Sequence, residues 1–363
     1  AICALLFSVP AVLCYQNRKG KMPSVEQYES AMRRALEISL NGPAVGVNPQ
    51  VGAVILDPTG VMVSEGWHKG AGSDHAEVMA LEHFAETFPG ASLENHTAVV
   101  TLEPCNHVGR TGPCALALVE AGVSRVVFAS ADPGDQSSQG SQTLKDAGIE
   151  VIPDVLLKQA EEQNRVWLGS KRLGRPFVTL KWASTLDGRS AASDGTSQWI
   201  SGPESRADTH SRRANADSIL VGTSTAIADD PELTARRPDG SYFEDQPIRI
   251  VLGESAIPNN LRLFNDKAKT MQIQTRDLHD ALRQLWVQGI KHIFVEGGPK
   301  LASAFVAAKL VDEFIIYLAP KLLGGPNMAL GQIGISSIED AAQLQLLETK
   351  QLGNDIFIRA RSA

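Results

Sequence analysis

The sequence is poor in cysteine, in aromatic residues and in long apolar runs. Four cysteines, at positions 3, 14, 105 and 114, occur in 363 residues. That number is too small for a disulfide framework and is typical of a protein kept in the reducing cytoplasm. The apolar stretch 1–15 is too short to cross a bilayer and is interrupted by Pro10. The composition therefore predicts a cytoplasmic protein without a membrane span.

An excess of positive charge and a Gly-x-Gly-x-x-Gly motif are also missing. The formal net charge is −7, which argues against a surface that follows nucleic acid. Without the glycine motif, a classical dinucleotide-binding fingerprint cannot be assigned. Apolar residues make up 43% of the chain, enough for the cores of two ordinary domains.

The first 22 residues are interpreted as an extension outside the fold. Arg18, Lys19 and Lys21 follow the apolar stretch, whereas a secretory signal carries its positive charges before it. An atypical targeting or anchor segment is the alternative. The remaining boundaries are set at 23–153 for a first domain, 154–174 for a connecting helix or linker, and 175–363 for a second domain.

Alternating helical and strand patterns fill the first domain. Ser24 and Gln27 have the spacing of a capping box at the start of a helix. Strands are predicted at 51–56, 61–64, 97–102, 125–129 and 149–152, the first two as a hairpin. Helices are predicted at 76–88, with Val78, Leu81, Phe84 and Ala85 inward, and at 114–121 and 141–147. These patterns predict an α/β domain.

The second domain repeats this alternation over a longer stretch. Strands are predicted at 177–182, 218–221, 248–252, 271–274, 292–295 and 313–318, with helices at 204–213, 277–288 and 299–308. Such an order predicts a largely parallel sheet covered by helices. Segments 343–348 and 355–359 are expected to form a terminal hairpin.

One histidine and two cysteines suggest a zinc site. His75, Cys105 and Cys114 supply three protein ligands, which leaves the fourth tetrahedral position to water, as in catalytic sites. Glu77 lies two residues beyond the first ligand, close enough to take a proton from that water and pass it to a leaving nitrogen. Zinc deaminases of nucleobases have this signature with two residues between the cysteines, whereas eight separate them here. A structural zinc site closed by a fourth residue, or no metal, is the alternative interpretation.

The motifs around these residues resemble the bifunctional deaminase–reductase family of riboflavin biosynthesis. The first-half motifs are Asn48-Pro49-Gln50-Val51-Gly52, Gly66-Trp67-His68, His75-Ala76-Glu77, Leu102-Glu103-Pro104-Cys105-Asn106-His107 and Gly109-Arg110-Thr111-Gly112-Pro113-Cys114. The resemblance implies a cytidine-deaminase-like α/β/α domain whose substrate contacts are Asn48, His68, His107 and Arg110, with Arg110 as a candidate for the phosphate. Val108 and Gly140-Ser141-Gln142 depart from the usual family pattern.

The second half carries five further motifs of the same family. They are Leu180-Lys181-Trp182-Ala183-Ser184-Thr185-Leu186-Asp187-Gly188-Arg189, Ser197-Gln198-Trp199-Ile200, Asp229-Asp230-Pro231-Glu232-Leu233-Thr234-Ala235-Arg236, Glu296-Gly297-Gly298-Pro299 and Ala319-Pro320-Lys321-Leu322-Leu323-Gly324-Gly325. The resemblance implies a dihydrofolate-reductase-like α/β domain that uses NADPH. Implied substrate contacts are Ser197, Arg213, Leu233, Arg236 and Glu296. Implied cofactor contacts are Ala183, Trp199, Thr225, Asp229, Gly298, Pro299, Lys300, Leu301, Ala302, Ser303 and Ala304. Lys181 is hypothesised to orient or protonate the opened sugar.

The resemblance covers about residues 23–360 and implies two successive reactions. The first is the zinc-dependent hydrolytic deamination of 2,5-diamino-6-ribosylamino-4(3H)-pyrimidinone 5′-phosphate, and the second is the NADPH-dependent reduction of its ribosyl group to ribityl. The expected partners are these small molecules, with no nucleic acid and no membrane, and homo-oligomerisation stays open.

Three other functions stay open at this point. The chain could be a zinc deaminase of another small nucleotide with a silent nucleotide-binding second domain. It could also be a nucleic-acid editing deaminase, which the net acidity disfavours, or a non-catalytic zinc-stabilised binding protein.

Overall fold

The computed structural model describes residues 22–107, 112–134 and 138–363. The chain forms two compact units, the first ending at Arg172 and the second beginning at Leu173. This division falls inside the stretch 154–174 that the sequence assigns to a connecting segment. Of the predicted extension 1–22, only Met22 is among the described residues. Val108 and Arg110 also lie outside the described residues.

Five strands form the sheet of the first unit: β1 (Gly52–Leu56), β2 (Met62–Trp67), β3 (Thr97–Leu102), β4 (Arg125–Ser130) and β5 (Glu150–Ile152). Their order is β2-β1-β3-β4-β5. β1 pairs antiparallel with β2 and β3, whereas β3, β4 and β5 are parallel. The helices of this unit are α1 (Val25–Ser39), α2 (Ala76–Thr87), α3 (Cys114–Ala121), α4 (Gly140–Asp146), α5 (Leu157–Gln163) and α6 (Arg165–Leu173).

Helices cover both faces of this sheet, which is why β1 is apolar and buried along its whole length. Ala53 and Ile55 pack into the core formed with α2 and α3. Val54 and Leu56 point to the opposite core, formed with α1. α1 begins with the predicted capping box, in which Ser24 and Gln27 bond each other's backbone N–H.

The inward face of α2 matches the prediction at Phe84, which is buried, and at Leu81, which packs against the same core, but it differs elsewhere. Its buried residues are Ala76, Glu77, Ala80 and Phe84, whereas Ala85 is exposed. The strand packing against the helix carries Gly66, and a side chain there would collide with the backbone of α2. This close approach turns the small residues of α2 and Glu77 toward the sheet.

The stretch 154–174, predicted as a connecting helix or linker, forms two helices separated by Asn164. The Asn164 side chain accepts from the backbone N–H of Gln50 at 3.0 Å and donates to its carbonyl at 2.8 Å. These bonds fix the break between α5 and α6 beside the chain that enters β1. The helical pattern also begins later than predicted, because Asp154 and Leu156 have positive φ angles.

Eight strands form the sheet of the second unit: β6 (Phe177–Thr185), β7 (Ser218–Gly222), β8 (Ile248–Leu252), β9 (Thr270–Ile273), β10 (His292–Val295), β11 (Glu313–Ala319), β12 (Leu344–Leu352) and β13 (Asp355–Ser362). Their order is β12-β13-β11-β6-β10-β7-β8-β9. The six neighbouring strands from β11 through β9 in this order are all parallel. At the other edge, β13 pairs antiparallel with both β11 and β12. The predicted parallel sheet and terminal hairpin are confirmed.

Four helices accompany this sheet: α7 (Pro203–Ala214), α8 (Thr223–Asp229), α9 (Leu278–Val287) and α10 (Pro299–Ala307). α8 was not predicted, since it is short, rich in threonine and buries only Ala226. β10 lies between β6 and β7, so the strand order reverses there. Open α/β sheets bind ligands beyond the carboxyl ends of strands at such a reversal.

None of the helices within the described ranges has the length and apolarity needed to cross a bilayer.

Candidate active sites

Three elements of the first unit bring the predicted zinc ligands together. His75 is the N-cap of α2, Cys105 follows β3, and Cys114 is the first residue of α3. His75 Nδ1 lies 3.1 Å from Cys114 Sγ and 3.5 Å from Cys105 Sγ. All three ligand atoms lie within 4.8 Å of one another. A tetrahedral zinc with Zn–N and Zn–S bonds of about 2.0 and 2.3 Å separates such atoms by about 3.5 Å, so the donor set fits the metal.

The electrostatics of the two thiols also suit a cation. A hydrogen bond from Cys114 lowers the pKa of Cys105 to about 4, with a further contribution from His75. The bond to Cys105, together with burial, raises the pKa of Cys114. Zinc binds cysteine as the thiolate, so a metal ion held between these sulfurs would displace their thiol protons.

Glu77 faces the sheet beside this cluster and is only 4% exposed. Burial raises the pKa of its carboxyl group to about 7. It lies in the first turn of α2, where the helix dipole favours a negative charge. The side chain also lines the same cavity as His75 and Cys105, so it can exchange protons with a group bound there.

Asn48 and His68 form a hydrogen-bonded pair on the wall of this cavity. Asn48 Nδ2 lies 2.9 Å from His68 Nε2, and His68 Nδ1 lies 3.1 Å from the Asp74 carbonyl. Both contacts are satisfied when the imidazole is neutral, with Nδ1 donating to Asp74 and Nε2 accepting from Asn48. Burial lowers the pKa of His68, consistent with that neutral form. The pair orients the Asn48 amide so that its oxygen is the acceptor available to a ligand.

A cavity of about 520 Å³ collects most of the predicted deaminase residues. It is lined by Asn48, His68, His75, Glu77, Cys105 and His107, whereas Cys114 lies buried beneath. Arg110, the predicted phosphate contact, lies outside the described residues. Trp167 and Lys171 of α6 also line the cavity and were not predicted. They belong to the stretch that the sequence assigned to a linker, so no motif pointed to them.

Glu103 is a further residue of this site that the sequence reasoning did not assign. Its carboxylate accepts from the backbone N–H of Ser141 at 3.0 Å and of Asp132 at 3.3 Å. It thereby joins the end of β3 to the start of α4 and to a cavity-lining loop. Gly140, at the start of α4, packs directly against the chain beside Glu103. A Cβ at Gly140 would lie 1.7 Å from the Pro104 carbonyl oxygen. The sequence feature that could have identified Glu103 is its position, directly after a buried strand and two residues before the metal ligand Cys105.

A buried ionic cluster in the second unit contains three of the predicted reductase residues. Glu296, at the end of β10, receives bonds from Arg213 Nε and from Arg213 Nη2, the latter at 3.0 Å. Lys181 of β6 places its Nζ 3.6 Å from Glu296 Oε2. β6 and β10 are neighbours in the sheet, so three of the predicted residues meet at the strand reversal.

The cluster fixes the charge of its members. Burial alone would raise the pKa of Glu296, but Arg213 and Lys181 lower it to about 2. Burial lowers the pKa of Lys181, although Glu296 partly opposes the shift. A lysine with a lowered pKa is a better proton donor than an exposed one.

The turn before Arg236 is attached to α7. The Thr234 carbonyl accepts from Arg213 Nη1 at 2.9 Å and lies 3.1 Å from His210 Nδ1. The Arg236 backbone N–H is also within 3.2 Å of that nitrogen. His210 was not predicted, although it lies one turn before Arg213 on the same helix. Leu233 packs its side chain into the core, so only its backbone can contact a substrate.

The predicted cofactor turn joins β10 to α10. The Gly298 backbone N–H donates to Thr225 Oγ1 at 3.2 Å, which brings two predicted contacts together. A side chain at Gly298 would lie 3.3 Å from that oxygen, so glycine permits the close contact between this turn and Thr225. Along α10, Ala302 and Ser303 are buried, whereas Lys300 and Ala304 are exposed and Pro299 and Leu301 half-buried.

Ser197, Trp199 and Asp229 lie on exposed segments, and Ala183 is half-buried on β6. The Arg206 guanidinium stacks on the Trp199 ring at 4.7 Å. Lys321 donates to the carbonyls of Trp199 and Ile200, each at 2.8 Å. No hydrogen bond or ion pair among the described residues joins this loop to Glu296, so the structure does not gather all predicted reductase contacts into one cluster.

Comparison with known families divides the chain in the same way. Residues 25–130 match the cytidine and deoxycytidylate deaminase zinc-binding region. Residues 176–358 match the RibD C-terminal domain. The riboflavin biosynthesis protein RibD of Mycobacterium tuberculosis is 45% identical over 336 residues, which cover 92% of this chain and 97% of that protein.

Solved structures extend the similarity over both units. RibD of Acinetobacter baumannii, form 1, has a TM-score of 0.85 at 35% identity and covers 94% of this chain and 100% of its own. A Thermotoga maritima diaminohydroxyphosphoribosylaminopyrimidine deaminase/5-amino-6-(5-phosphoribosylamino)uracil reductase has a TM-score of 0.84 at 30% identity and covers 93% and 99%. With both domains matched in order and relatives similar over nearly their full length, the chain belongs to the RibD family of bifunctional zinc-dependent deaminases and NADPH-dependent reductases of riboflavin biosynthesis.

Proposed function

We propose that the first unit removes an amino group from 2,5-diamino-6-ribosylamino-4(3H)-pyrimidinone 5′-phosphate and that the second reduces the ribosyl group of the product to ribityl. The observation that carries the first step is the His75, Cys105 and Cys114 donor set with the buried carboxyl group of Glu77 beside it. The Thermotoga relative, whose name describes both reactions, supports the pairing of the two steps.

Each residue of the deaminase cavity has a separate task in this proposal. His75, Cys105 and Cys114 hold Zn²⁺, which supplies Lewis acidity when bound. Glu77 accepts a proton from the attacking water and donates it to the leaving nitrogen. Asn48, oriented by His68, bonds the edge of the pyrimidine. His107 completes the wall, and Arg110 is proposed as a phosphate contact.

In the reductase unit the protein positions two ligands and supplies a proton. Bound NADPH supplies the hydride. Thr225, Asp229, Trp199, Ala183 and the segment 298–304 are proposed to bind the cofactor. Ser197, Arg213, Arg236, Glu296 and the backbone of Leu233 are proposed to bind the substrate. Lys181, beside Glu296, orients the opened sugar or protonates its oxygen as hydride arrives.

The remaining proposals concern the surroundings of the enzyme. Its partners are small molecules rather than nucleic acid or membrane, which the net charge of −7 supports. We place its action in the cytoplasm, as the low cysteine content suggests. A homo-oligomer is a further proposal, supported by exposed Leu344 and Leu346 on the edge strand β12.

The decisive experiment follows ammonia release and NADPH consumption in one reaction of the zinc-loaded protein with the diaminopyrimidine phosphate. Ammonia is expected without NADPH, and NADPH consumption only after ammonia release. Ammonia release with no NADPH consumption under any condition would make the second unit a silent nucleotide-binding domain. If neither signal changes, the assigned substrate is wrong.

A further inference from the structure

Two arginines of the second unit converge on one carboxylate oxygen. Arg236 Nη1 lies 3.7 Å from Glu232 Oε2, and Arg262 Nη2 lies 3.6 Å from the same atom. The two nitrogens are therefore close enough for the oxygens of one phosphate group to bond both. Arg236 belongs to the proposed substrate site, whereas no motif pointed to Arg262.

The carboxylate lies beneath the arginines rather than between them and solvent. The Glu232 side chain is 10% exposed, compared with 37% for Arg236 and 60% for Arg262. Its other oxygen, Oε1, accepts from Tyr242 Oη and from Asn265 Nδ2, each at 2.9 Å. Glu232 is thus a fixed support that leaves both guanidinium groups accessible.

The backbone that carries Arg262 is held from two sides. The Arg262 backbone N–H donates to Asp230 Oδ1 at 2.7 Å, which connects it to the loop carrying Glu232. Arg249 is fully buried and donates to the carbonyls of Leu263, Asn265 and Ala268. Because these bonds fix the short turn Arg262–Phe264, the two arginines are preorganised before a ligand arrives.

The contacts of these arginines differ from those of a completed ion pair. Arg213 meets Glu296 through two N–H groups, a bidentate geometry that occupies the inner edge of its guanidinium. Arg236 and Arg262 approach Glu232 only at 3.7 and 3.6 Å, beyond the hydrogen-bond range. The Arg236 and Arg262 side chains are 37% and 60% exposed, so their guanidinium groups can still bond a further acceptor.

We propose that Arg236 and Arg262 together form a phosphomonoester-binding site and that Glu232 sets their spacing. This inference rests on the proposed function, in which two phosphomonoesters reach the reductase unit. One is the 5′-phosphate of the pyrimidine substrate, and the other is the 2′-phosphate that distinguishes NADPH from NADH. Both guanidinium groups approach Glu232, whereas the Asp230 carboxylate bonds the Arg262 backbone N–H and forms an ion pair with neither of them. The guanidinium pair therefore has one carboxylate as its direct counter-charge, which leaves positive charge for an anion.

The test compares Arg262→Gln with Arg283→Gln, a matched control that removes an exposed arginine paired with Asp280 on α9. The KM and kcat of the reductase are measured for the deaminated phosphorylated substrate, for its dephosphorylated form, and for NADPH and NADH. Loss of a charge-assisted phosphate contact is expected to raise one KM by about 10- to 100-fold. The kcat should change by less than about threefold, because the residue contacts a remote group.

The pattern of KM values identifies which phosphate is bound. A higher KM for the phosphorylated substrate, with no change for the dephosphorylated form, assigns the site to the 5′-phosphate. A higher KM for NADPH but not for NADH assigns it to the 2′-phosphate. Arg262→Lys should recover part of the loss, since it restores the charge without the planar fork. Equal KM values in Arg262→Gln, Arg283→Gln and the unaltered protein would overturn the inference.

A failure of the proposed function gives a different result. The unaltered protein would then fail to oxidise NADPH with this substrate. Binding of inorganic phosphate, followed by calorimetry on the full chain, still tests the arginine pair in that case. Weaker phosphate binding in Arg262→Gln than in Arg283→Gln supports the site, and equal binding rejects it.

Discussion

The two active sites are built on opposite plans. The deaminase ligands come from a short part of the chain, between residues 75 and 114, and meet at the ends of α2, β3 and α3. The reductase cluster draws Lys181, Arg213 and Glu296 from elements spread over more than a hundred residues. The first site consists of donor atoms spaced to hold a metal, and the second of largely buried charges that neutralise one another.

This difference determines how each site should respond to damage. A metal centre needs every ligand, because a missing donor cannot be replaced by a neighbour. A buried charge cluster distributes its function over several groups, so that a single loss weakens it without removing it. We therefore expect all-or-none effects in the first unit and graded effects in the second.

The largest expected effect is that of Cys114→Ala. Alanine is well tolerated at the first position of α3, so the unit should fold, but one of three metal donors is lost. Zinc content should fall and ammonia release should drop to the background rate. NADPH oxidation with deaminated substrate should persist, and a chelator should reproduce this split in the unaltered protein. Zinc retained at full occupancy would show that Cys114 is not a ligand.

Glu77→Gln should have the next largest effect, because it keeps the shape of the site and removes only the proton acceptor. Deamination is expected to fall by about 10²–10⁴-fold, while zinc content and reductase activity stay unchanged. Exposed Glu120 on α3 offers a matched Glu→Gln control. Normal deamination in Glu77→Gln would exclude the proposed proton transfer and leave Glu77 as a structural residue.

The sequence predicted the first site better than the second for a physical reason. A metal needs rare residue types at fixed spacing, so His75, Glu77, Cys105 and Cys114 were evident from the residues themselves. Arg213, Arg236 and Glu296 came only from the family resemblance, since charged residues are common and spacing does not reveal a contact across a sheet. His210, Glu103 and Arg262 stayed unassigned because their roles depend on bonds to backbone or to distant side chains.

The fold shows the same limit. Periodic segments such as β3, α3 and β8 were predicted at their observed boundaries, since each buries an apolar pattern. The break at Asn164 was missed because it depends on hydrogen bonds to Gln50, more than a hundred residues away. On α2, Phe84 was predicted inward correctly, but the burial of Glu77 and Ala80 was missed because Gly66 lets the helix approach β2 closely. Long-range contacts, rather than local propensity, account for both errors.

A graded effect is expected from Glu296→Gln in the second unit. Removing this carboxylate leaves Lys181 and Arg213 largely buried without their counter-charge. The reductase kcat/KM should fall by about 10- to 100-fold, as for loss of a charged hydrogen bond. Deamination should be unchanged. A loss as complete as that from Cys114→Ala would contradict the distinction between a metal centre and a distributed cluster.

The smallest expected effect concerns the acid stability of that cluster. Glu296 has a pKa of about 2 in the folded protein, compared with 4.5 for an ordinary glutamate, because Arg213 and Lys181 outweigh the opposing effect of burial. A carboxyl group with a depressed folded pKa stabilises the fold above its unfolded pKa. That stabilisation is lost as the pH falls through the folded pKa.

The pH window follows from those two values. Above about pH 5 the thermal transition of the second unit should be higher in the unaltered protein than in Glu296→Gln. The gap should narrow steadily between pH 4.5 and pH 2. Glu339→Gln makes the same change at an exposed position of the second unit. Its thermal transition, measured over the same pH range, is the control for replacing a carboxylate by an amide. If the gap is constant across this range, Glu296 stabilises the second unit through shape and hydrogen bonding instead of charge, and the description of this site as a charge cluster is wrong.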